Sequence, residues 1–384
     1  MPRRLPCLTG KILAHPASPG YEYRFRSGGR IRLRRKIPLP AAGPACYTGG
    51  EQRPAQGPKG VFHLTVLDGH SDLLYDVTRR RLAGETRVLE RRHLDRLRRG
   101  GTEGLVLALW YGTGPHNETF WKDVPEAGSA AKRLSIMLDC ARAELAECPW
   151  LAAVRTRKEA EAARAAGKLY AFLCIEGMEA LEGPEDLAPL ADLGLRMGML
   201  TWNEENRFAA GAAQDPRKGL TDLGRQMVRR MEDLGVLPDV SHLNEAGFWD
   251  LLDAAGGTVI ASHSNCRRLC GVPRNLTDEQ LRAIRDRGGI VGLNVYHGFV
   301  HTGPEGQTAE MLARHAAHMA EVMGAEHVAC GFDFCEFMGP GNDGARGLED
   351  CSGIPAFFRE LERLGMSARE REGIARENLL RVLG

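Results

Sequence analysis

Histidines and carboxylates follow several short apolar runs in this sequence, and their side chains are those that most readily bind divalent metal ions. Imidazole nitrogen and carboxylate oxygen are the usual ligands of catalytic zinc, and one carboxylate can bridge two ions about 3.5–4 Å apart. Six such residues end five of the runs: His70 and Asp72, Glu176, His242, His263, and Asp333. Their chemistry predicts a hydrolytic centre with two metal ions.

Each of these residues alone carries little information. A single histidine at a strand end is more often a hydrogen-bonded structural residue, and a single aspartate there commonly caps the next helix. The spacing of the first pair adds weight, because His70 and Asp72 lie two residues apart and would point to one face of an extended chain. Chance would scatter such side chains over both ends of the strands, so their recurrence at one end favours metal binding.

The elements that must position these residues are short apolar runs separated by longer amphipathic segments. Near-continuous apolar runs are typical of strands that are buried on both faces of a parallel sheet. The intervening segments contain strong helix formers, and one of them opens with a capping box from Thr277 to Gln280. The eight predicted strands cover residues 61–67, 104–110, 169–175, 197–201, 236–240, 258–262, 290–295 and 328–332.

Eight successive strand–helix units predict an α/β fold, a closed (β/α)8 TIM barrel of the metal-dependent hydrolase type, over residues 61–384. The main rival is a doubly wound open sheet, which usually has a glycine-rich phosphate loop after its first strand. Here the first strand ends in Asp68-Gly-His-Ser-Asp72 instead. In a barrel the active site lies at the carboxyl ends of the strands, where the six candidate ligands stand.

Residues 1–60 differ in composition from the rest of the chain. They hold 12 Lys and Arg against two Glu, which leaves 39 basic and 48 acidic residues in 61–384. We interpret this basic arm as a disordered extension, or as the result of a start codon assigned too far upstream. The acidic remainder gives no support for nucleic-acid binding, so a nucleic-acid partner is not expected. Binding through the arm remains a rival, which would be salt-sensitive and lost with the arm.

The lack of a recognisable targeting signal and the spacing of the cysteines predict a cytoplasmic protein. The sequence has no apolar run of about 18 residues, and no secretory signal is recognisable. Its ten cysteines are irregularly spaced without a CxxC pair, as expected of reduced thiols rather than a disulfide framework or a zinc knuckle. The chain ends without a hydrophobic tail that a lipid anchor would need, so no membrane anchor is expected.

Taken in order, the motifs resemble those of the membrane (renal) dipeptidases, zinc peptidases with a barrel fold. The resemblance runs from about residue 66 to the C-terminus and leaves the basic arm unmatched. The segments that carry it are Asp68-Gly-His-Ser-Asp72, Ile175-Glu-Gly177, Asp239-Val-Ser-His242, Ala261-Ser-His-Ser264, Pro273-Arg-Asn275, Gly288-Gly-Ile-Val-Gly-Leu-Asn294 and Gly331-Phe-Asp-Phe334.

The resemblance implies a role for each candidate residue. His70 and Asp72 would bind one zinc ion, His242 and His263 the other, and Glu176 would bridge both. Arg274 stands where the family holds the terminal carboxylate of the substrate, which a guanidinium can grip with two hydrogen bonds. Asp333 corresponds to the acidic residue that handles protons.

One segment departs from the mammalian members of the family. After the fourth strand these proteins carry a histidine that contacts the substrate, whereas this chain has Trp202 followed by Asn203, a pattern similar to that of bacterial members. We expect both residues to contact the substrate. Asn203 could donate a hydrogen bond to the developing oxyanion, the metal ions could suffice for that role, and Trp202 could simply pack beneath the site.

These features together predict a zinc-dependent dipeptidase whose substrates are small dipeptides, including those with a C-terminal D-residue that the family would accept. In the hypothesised mechanism the two ions share a water and yield hydroxide, while Asp333 passes the proton to the leaving amine. Two alternatives stay open: a related binuclear amidohydrolase acting on another amide or an ester, and a non-catalytic relative. The family resemblance also implies a possible homodimer.

Overall fold

Parallel strands alternate with helices in the computed structural model, which describes residues 64–112 and 120–384. The strands are β1 (Val66–Ser71), β2 (Thr102–Leu109), β3 (Leu151–Ala153), β4 (Leu169–Glu176), β5 (Leu195–Met199), β6 (Leu237–Asp239), β7 (Val291–Leu293) and β8 (Val328–Cys330). The predictions for the basic arm, residues 1–60, lie outside the described residues.

The helices cover the outside of the sheet. They are α1 (Leu73–Leu82), α2 (Leu94–Arg99), α3 (Ala130–Glu147), α4 (Arg157–Ala165), α5 (Leu187–Asp192), α6 (Asp222–Asp233), α7 (Glu245–Ala254), α8 (Asp278–Asp286), α9 (His297–Val300), α10 (Ala309–Met323), α11 (Ile354–Arg363), α12 (Ala368–Glu372) and α13 (Asn378–Leu383). Short 3-10 and π turns stand at Phe120–Asp123, Pro184–Asp186, Pro304–Gly306, Ala325–His327, Glu336–Met338, Cys351–Gly353, Leu89–His93 and Gly373–Glu377. Within the described ranges, no helix combines the length and the apolar character that crossing a membrane requires.

The strands form a curled parallel sheet. Strands β1, β2, β4, β5 and β6 pair in that order, and β7 pairs with β8. Residues 258–262 join the two groups through single parallel bridges, from Asp239 to Ile260 and from Ala261 to Val291. On the far side, the amide of Asp333 donates to the carbonyl of His70 at 3.3 Å, which brings the end of β8 against β1. The predicted (β/α)8 barrel is confirmed.

Two local features differ from the prediction. The sixth predicted strand, 258–262, makes only one bridge on each side, and its neighbour Pro238 has no N–H to donate to a longer ladder. The short strand β3 was not predicted, because three residues are too few to show a pattern. It pairs with Leu169–Ala171 at the start of β4, below the point where β5 begins to pair at Leu173.

Alternation along β4 decides which side chains face the barrel interior. Tyr170, Phe172 and Cys174 are buried in one apolar cluster, whereas Ala171 and Ile175 belong to the cluster beneath the helices. Because the side-chain period of a strand is two, Glu176 continues the interior series at its carboxyl end. A carboxylate is therefore delivered to the mouth of the barrel by strand geometry alone.

Strand β1 reaches the same mouth through an irregularity in its pairing with β2, between Asp68 and Ser71. Gly69 stands within this stretch, where an added Cβ would lie 2.7 Å from the carbonyl oxygen of Cys330. Strands β1 and β8 can therefore approach closely only because residue 69 has no side chain. The predicted capping box of Thr277 with Gln280 is observed at the start of α8, and Asn244 caps α7.

Candidate metal centre and active site

The structure brings all six predicted residues together at the carboxyl end of the barrel. His70 is the penultimate residue of β1 and Asp72 follows that strand, Glu176 ends β4, His242 follows β6, His263 follows the segment 258–262, and Asp333 follows β8. The three imidazoles and Glu176 are buried, and the side chain of Asp333 is 18% exposed. Residues separated by up to 263 positions thus share one small volume.

Glu176 lies at the middle of the cluster and faces two groups of ligands. Its Oε2 is 3.2 Å from Nε2 of His70. Its Oε1 is 2.8 Å from Nε2 of His242 and 4.0 Å from Nε2 of His263. Because each oxygen faces a different set of imidazoles, the carboxylate has the placement that a bridging ligand requires.

The acidic side of the cluster is formed by Asp72 and Asp333. Their Oδ1 atoms lie 3.7 and 4.0 Å from Nε2 of His70, respectively. Two groups of three residues have potential ligand atoms within 4.8 Å of one another: His70 with Glu176 and His263, and His70 with Asp72 and Asp333. Both groups contain His70, so Nε2 of this residue is common to the two candidate sets of metal ligands.

The electrostatics of the cluster fit a cation. Burial raises the pKa of Glu176 to about 8 and that of Asp333 to about 6. Burial also lowers the pKa of His242 and of His263 well below the usual range. Burial acts to lower the pKa of His70 as well, but the charge of Glu176 and neighbouring hydrogen bonds hold it well above the usual range.

Two further observations are consistent with a cation in the cluster. Nε2 of His242 lies 2.8 Å from Nε2 of His263, where two lone pairs would repel unless a proton or a metal ion lay nearby. Oδ1 of Asp72 is buried and has no hydrogen-bond partner among the described residues. The neutral imidazoles of His242 and His263, together with carboxylates that have an unpaired oxygen, are suitable donors for divalent ions.

The Nδ1 atoms of two histidines are bound by side chains outside the cluster. Nδ1 of His242 lies 3.0 Å from Oδ1 of Asn203, and Nδ1 of His263 lies 2.8 Å from Oγ of Ser262. When Nδ1 carries the proton, these oxygens accept it and Nε2 keeps its lone pair for a metal ion. The backbone of His242 is in the left-handed region, with φ of 72°, as is that of Asp333, with φ of 60°. Non-glycine residues rarely adopt this conformation, which occurs preferentially at functional sites.

Arg274 is buried beside the cluster. Its Nη1 donates to Oγ of Ser264 at 3.2 Å, its Nη2 donates to the carbonyl of His263 at 3.3 Å, and its guanidinium carbon lies 5.4 Å from the ring centre of Phe299. Burial lowers the pKa of Arg274 to about 10, while the charge of Asp333 opposes that effect. Nε has no hydrogen-bond partner among the described residues. The guanidinium therefore stays charged at neutral pH with hydrogen-bonding capacity left over.

Trp202 and Asn203, both predicted to contact substrate, are near His242. The Trp202 ring lies 6.1 Å from the His242 ring at an angle of 34°, and 5.5 Å from the ring of Trp110. Oδ1 of Asn203 contacts Nδ1 of His242, so this amide is placed to orient the His242 ring. Substrate contact by these two residues stays a prediction.

Sequence reasoning missed three residues that touch the candidate site. Asn294 donates from Nδ2 to Oδ2 of Asp333 at 3.0 Å, and the thiol of Cys335 lies 3.4 Å from Oδ1 of the same carboxylate. Ser262 contacts His263 as described above. Asn294 ends one of the quoted motif segments and Ser262 stands directly before a candidate ligand, so their positions offered a signal. Cys335 offered none.

A parallel barrel with histidines and carboxylates at its carboxyl end defines the class of metal-dependent barrel hydrolases. Within that class, the family model of the membrane dipeptidases, peptidase family M19, matches residues 61–384. The chain belongs to this family, and the predicted enzyme class, a metallo-dipeptidase, is confirmed at that level.

Relatives and solved structures agree with this assignment. An uncharacterized dipeptidase of Schizosaccharomyces pombe is 34% identical over 222 residues, which cover 56% of this chain and 52% of that protein. The chain thus spans about half the length of this curated relative. A metallopeptidase of Rhodobacter sphaeroides, liganded with a phosphinate mimic of the dipeptide L-Ala-D-Ala, has a TM-score of 0.72 and 27% identity, and covers 83% of this chain and 98% of that one. The dipeptidase AC, a metallopeptidase of family M19, has a TM-score of 0.71 and 27% identity over 84% and 98% of the two chains.

Proposed function

We propose that this protein is a zinc-dependent dipeptidase that cleaves the single peptide bond of small dipeptides, including those with a C-terminal D-residue. The observation that carries the proposal is the position of Arg274, a buried cation with an unpaired Nε beside the Glu176 cluster. A buried charge without a carboxylate partner is costly, so the site is built for an anionic ligand. The carboxylate of a dipeptide is such a ligand.

The metal ligands divide as follows in this proposal. His70 and Asp72 hold one zinc ion, His242 and His263 hold the other, and Glu176 contacts both. Bound there, the ions supply an electrophile for the scissile carbonyl and the acidity that makes a water nucleophilic near neutral pH. Support comes from the opposed orientation of the two Glu176 oxygens.

Arg274 selects substrates by length. Nη1 donates to Ser264, and Nη2 donates to the carbonyl of His263, which is a proposed metal ligand. These two hydrogen bonds hold the guanidinium rigidly beside the cluster. A carboxylate bound by this group lies at a fixed distance from the cluster, so the peptide bond next to it is presented for cleavage. A longer peptide would place a neutral amide there and leave the guanidinium charge unpaired.

Asp333 moves the proton in this proposal. It accepts a proton from the attacking water and donates it to the leaving amine, and a pKa of about 6 is close to the value that such transfer needs near neutral pH. Asn294 fixes Oδ2 and the Cys335 thiol contacts Oδ1, which together hold the carboxylate in one orientation. The exposed fraction of its side chain, 18%, leaves room for a substrate group.

Tolerance of a C-terminal D-residue is the finer part of the proposal. It is supported by the Rhodobacter sphaeroides metallopeptidase, which was solved with a mimic of L-Ala-D-Ala. If Arg274 holds the carboxylate and the cluster holds the scissile carbonyl, inversion of the C-terminal residue exchanges only its side chain and hydrogen. Both L,L- and L,D-dipeptides would then be cleaved if the pocket is open on both sides.

Amine release from matched L,L- and L,D-dipeptides tests the proposal with zinc-loaded protein. Tripeptides, N-acetyl amino acids and C-terminally amidated dipeptides serve as comparison substrates, and the His242→Ala variant serves as the site control. We expect hydrolysis of free dipeptides only, lost in the variant. Hydrolysis of N-acetyl amino acids in preference to dipeptides would replace the proposal with a related amidohydrolase, and no turnover with both metal ions bound would indicate a non-catalytic relative.

A further inference from the structure

Asp239 is a buried carboxylate of the Asp239-Val-Ser-His242 motif that the proposed mechanism does not use. It lies at the end of β6 with an exposed fraction of 0%. Its Oδ1 accepts hydrogen bonds from the amides of Ser241 at 2.9 Å and Ser262 at 3.1 Å. Its Oδ2 is buried and has no hydrogen-bond partner among the described residues. A buried carboxylate with one unpaired oxygen needs a specific reason to be retained.

The surroundings of this carboxylate lead to a candidate metal ligand. Oγ of Ser262 lies 2.8 Å from Nδ1 of His263, and Oγ of Ser241 lies 3.5 Å from that of Ser262 and accepts from the amide of His263 at 3.2 Å. Burial raises the pKa of Asp239, and the nearby Ser262 and Ser241 hydroxyls oppose that rise. Ser262 therefore links Asp239 to His263, with its amide bonded to the carboxylate and its hydroxyl in contact with the imidazole.

The direction of hydrogen bonding along this path decides what His263 can do. If the Ser262 hydroxyl donated to Nδ1, the proton of a neutral imidazole would sit on Nε2 and block metal binding. If the hydroxyl instead donates to Asp239, its oxygen accepts the Nδ1 proton and Nε2 keeps its lone pair. An ionised carboxylate is an acceptor only, and Oδ2 of Asp239 lacks a partner among the described residues, so a Ser262 hydroxyl hydrogen turned toward that oxygen would leave the second arrangement.

We propose that Asp239 is a positioning residue, which acts through the Ser262 hydroxyl to fix the tautomer of His263 and so makes Nε2 available to a metal ion. The inference rests on the proposed metal centre. It assigns different partners to the two histidines of one ion, because His242 is oriented by the neutral amide of Asn203 and His263 by a carboxylate acting through a hydroxyl. Asp239 and Ser262 are 0% and 1% exposed, so the proposed role needs no contact with substrate.

Zinc affinity of the full chain, measured by competition with a chelator and by metal content, tests this proposal without reference to turnover. Asp239→Asn keeps the shape of the side chain but can donate to Ser262, and Ser262→Ala removes the hydroxyl while it keeps the amide bond to Oδ1 of Asp239. We expect both variants to bind one of the two ions about 10–100-fold more weakly. Hydrolysis by either variant should return when excess zinc is supplied.

A control separates metal binding from general loss of stability. Glu144 is also a buried carboxylate with an exposed fraction of 0%, and it accepts hydrogen bonds from Arg81, the amide of Leu89 and the thiol of Cys148, none of which is a candidate metal ligand. Glu144→Gln should lower the melting temperature of the metal-free protein and leave zinc affinity unchanged. If Asp239→Asn does not fold, Ser262→Ala carries the test alone.

The outcomes distinguish this inference from the proposed function. Wild-type zinc affinity in both Asp239→Asn and Ser262→Ala would overturn the role of Asp239 while leaving the metal centre in place. Failure of the wild-type protein to bind two zinc ions would instead overturn the proposed centre, and the role of Asp239 with it. If Glu144→Gln loses as much zinc affinity as the other two variants, the weaker zinc binding reflects a general loss of stability, and the role of Asp239 is overturned.

Discussion

The side-chain amide of Asn294 donates a hydrogen bond of 3.0 Å to Oδ2 of Asp333. This bond joins the ends of the neighbouring strands β7 and β8 at the mouth of the barrel. It leaves Oδ1 of Asp333 facing Nε2 of His70 at 4.0 Å. The oxygen nearest the cluster, which also contacts the Cys335 thiol, is therefore separate from the oxygen that Asn294 holds. A group that moves protons during catalysis needs this division, because its orientation must persist while its charge changes.

Asp333→Asn tests the proton transfer directly. The substitution keeps the size of the side chain, and we expect kcat to fall by about 10²–10⁴-fold because an amide cannot accept the proton. Zinc content should stay at the wild-type value, which metal analysis of the same preparation checks. Wild-type kcat in this variant would remove Asp333 from the mechanism.

The pH profile gives a second test of Asp333. Burial raises its pKa from the ordinary value of 3.8 to about 6, and the charge of Asp72 acts in the same direction. The carboxylate form dominates above that value, and bound cations would favour the charged form further. Dipeptide hydrolysis should therefore decline only at or below about pH 6, measured as kcat/KM. An acid limb well above that pH would assign the titration to another group.

Arg274→Ala should raise KM for dipeptides by about 10–100-fold, since one charge-assisted pair contributes about 1.5–3 kcal/mol. The change in kcat should be smaller, because the group binds the carboxylate in both ground and transition states. The matched comparison measures competitive inhibition by dipeptides with an amidated C-terminus, for which the inhibition constants of wild type and variant should be alike. Equal KM of the two proteins for free dipeptides would exclude Arg274 from carboxylate binding.

Asn203→Ala separates two roles of the same side chain. If Asn203 orients His242, its loss should weaken zinc binding by about 10–100-fold and leave KM at saturating zinc nearly unchanged. If instead it contacts the substrate, zinc affinity should be unaffected while kcat/KM falls. Chelator competition followed by kinetics at saturating zinc distinguishes the two, and the 3.0 Å contact with His242 favours the first.

In the metal-free protein, the melting temperature should fall as the pH rises above neutrality. The folded-state pKa of Glu176 is raised to about 8 and that of His70 is raised well above its usual value, so both groups stabilise the protonated protein and lose that contribution as pH rises. His242 and His263 have lowered pKa values and are neutral in both states above about pH 7, so they do not oppose this trend. The melting temperature of metal-free protein should fall between about pH 7 and about 9.

Zinc-loaded protein and the Glu176→Gln variant provide the comparisons for that trend. Bound cations favour the ionised carboxylate, and the substitution removes the titrating group, so the melting temperature should depend less on pH in both cases. If the melting temperature of the metal-free wild-type protein is constant over this pH range, the pKa values of Glu176 and His70 are not raised in the folded state.

The sequence by itself determined the elements and the identity of the cluster. Apolar runs and helical periodicity predicted the barrel, the capping box at Thr277 marked the start of α8, and polar strand ends together with the family resemblance named His70, Asp72, Glu176 and their partners. These features are local, since they depend on side-chain periods of 2 or 3.6 residues and on where a run stops.

Tertiary structure alone decided how these residues meet. Closure of the sheet through 258–262 sets the 2.8 Å approach of His242 and His263, and the irregularity in β1 turns His70 toward Glu176. The path from Asp239 through Ser262 to His263 likewise spans two strands. Register between distant strands is fixed by packing of the whole barrel, and a slip of one residue would turn each side chain to the opposite face, so no local pattern could predict these contacts.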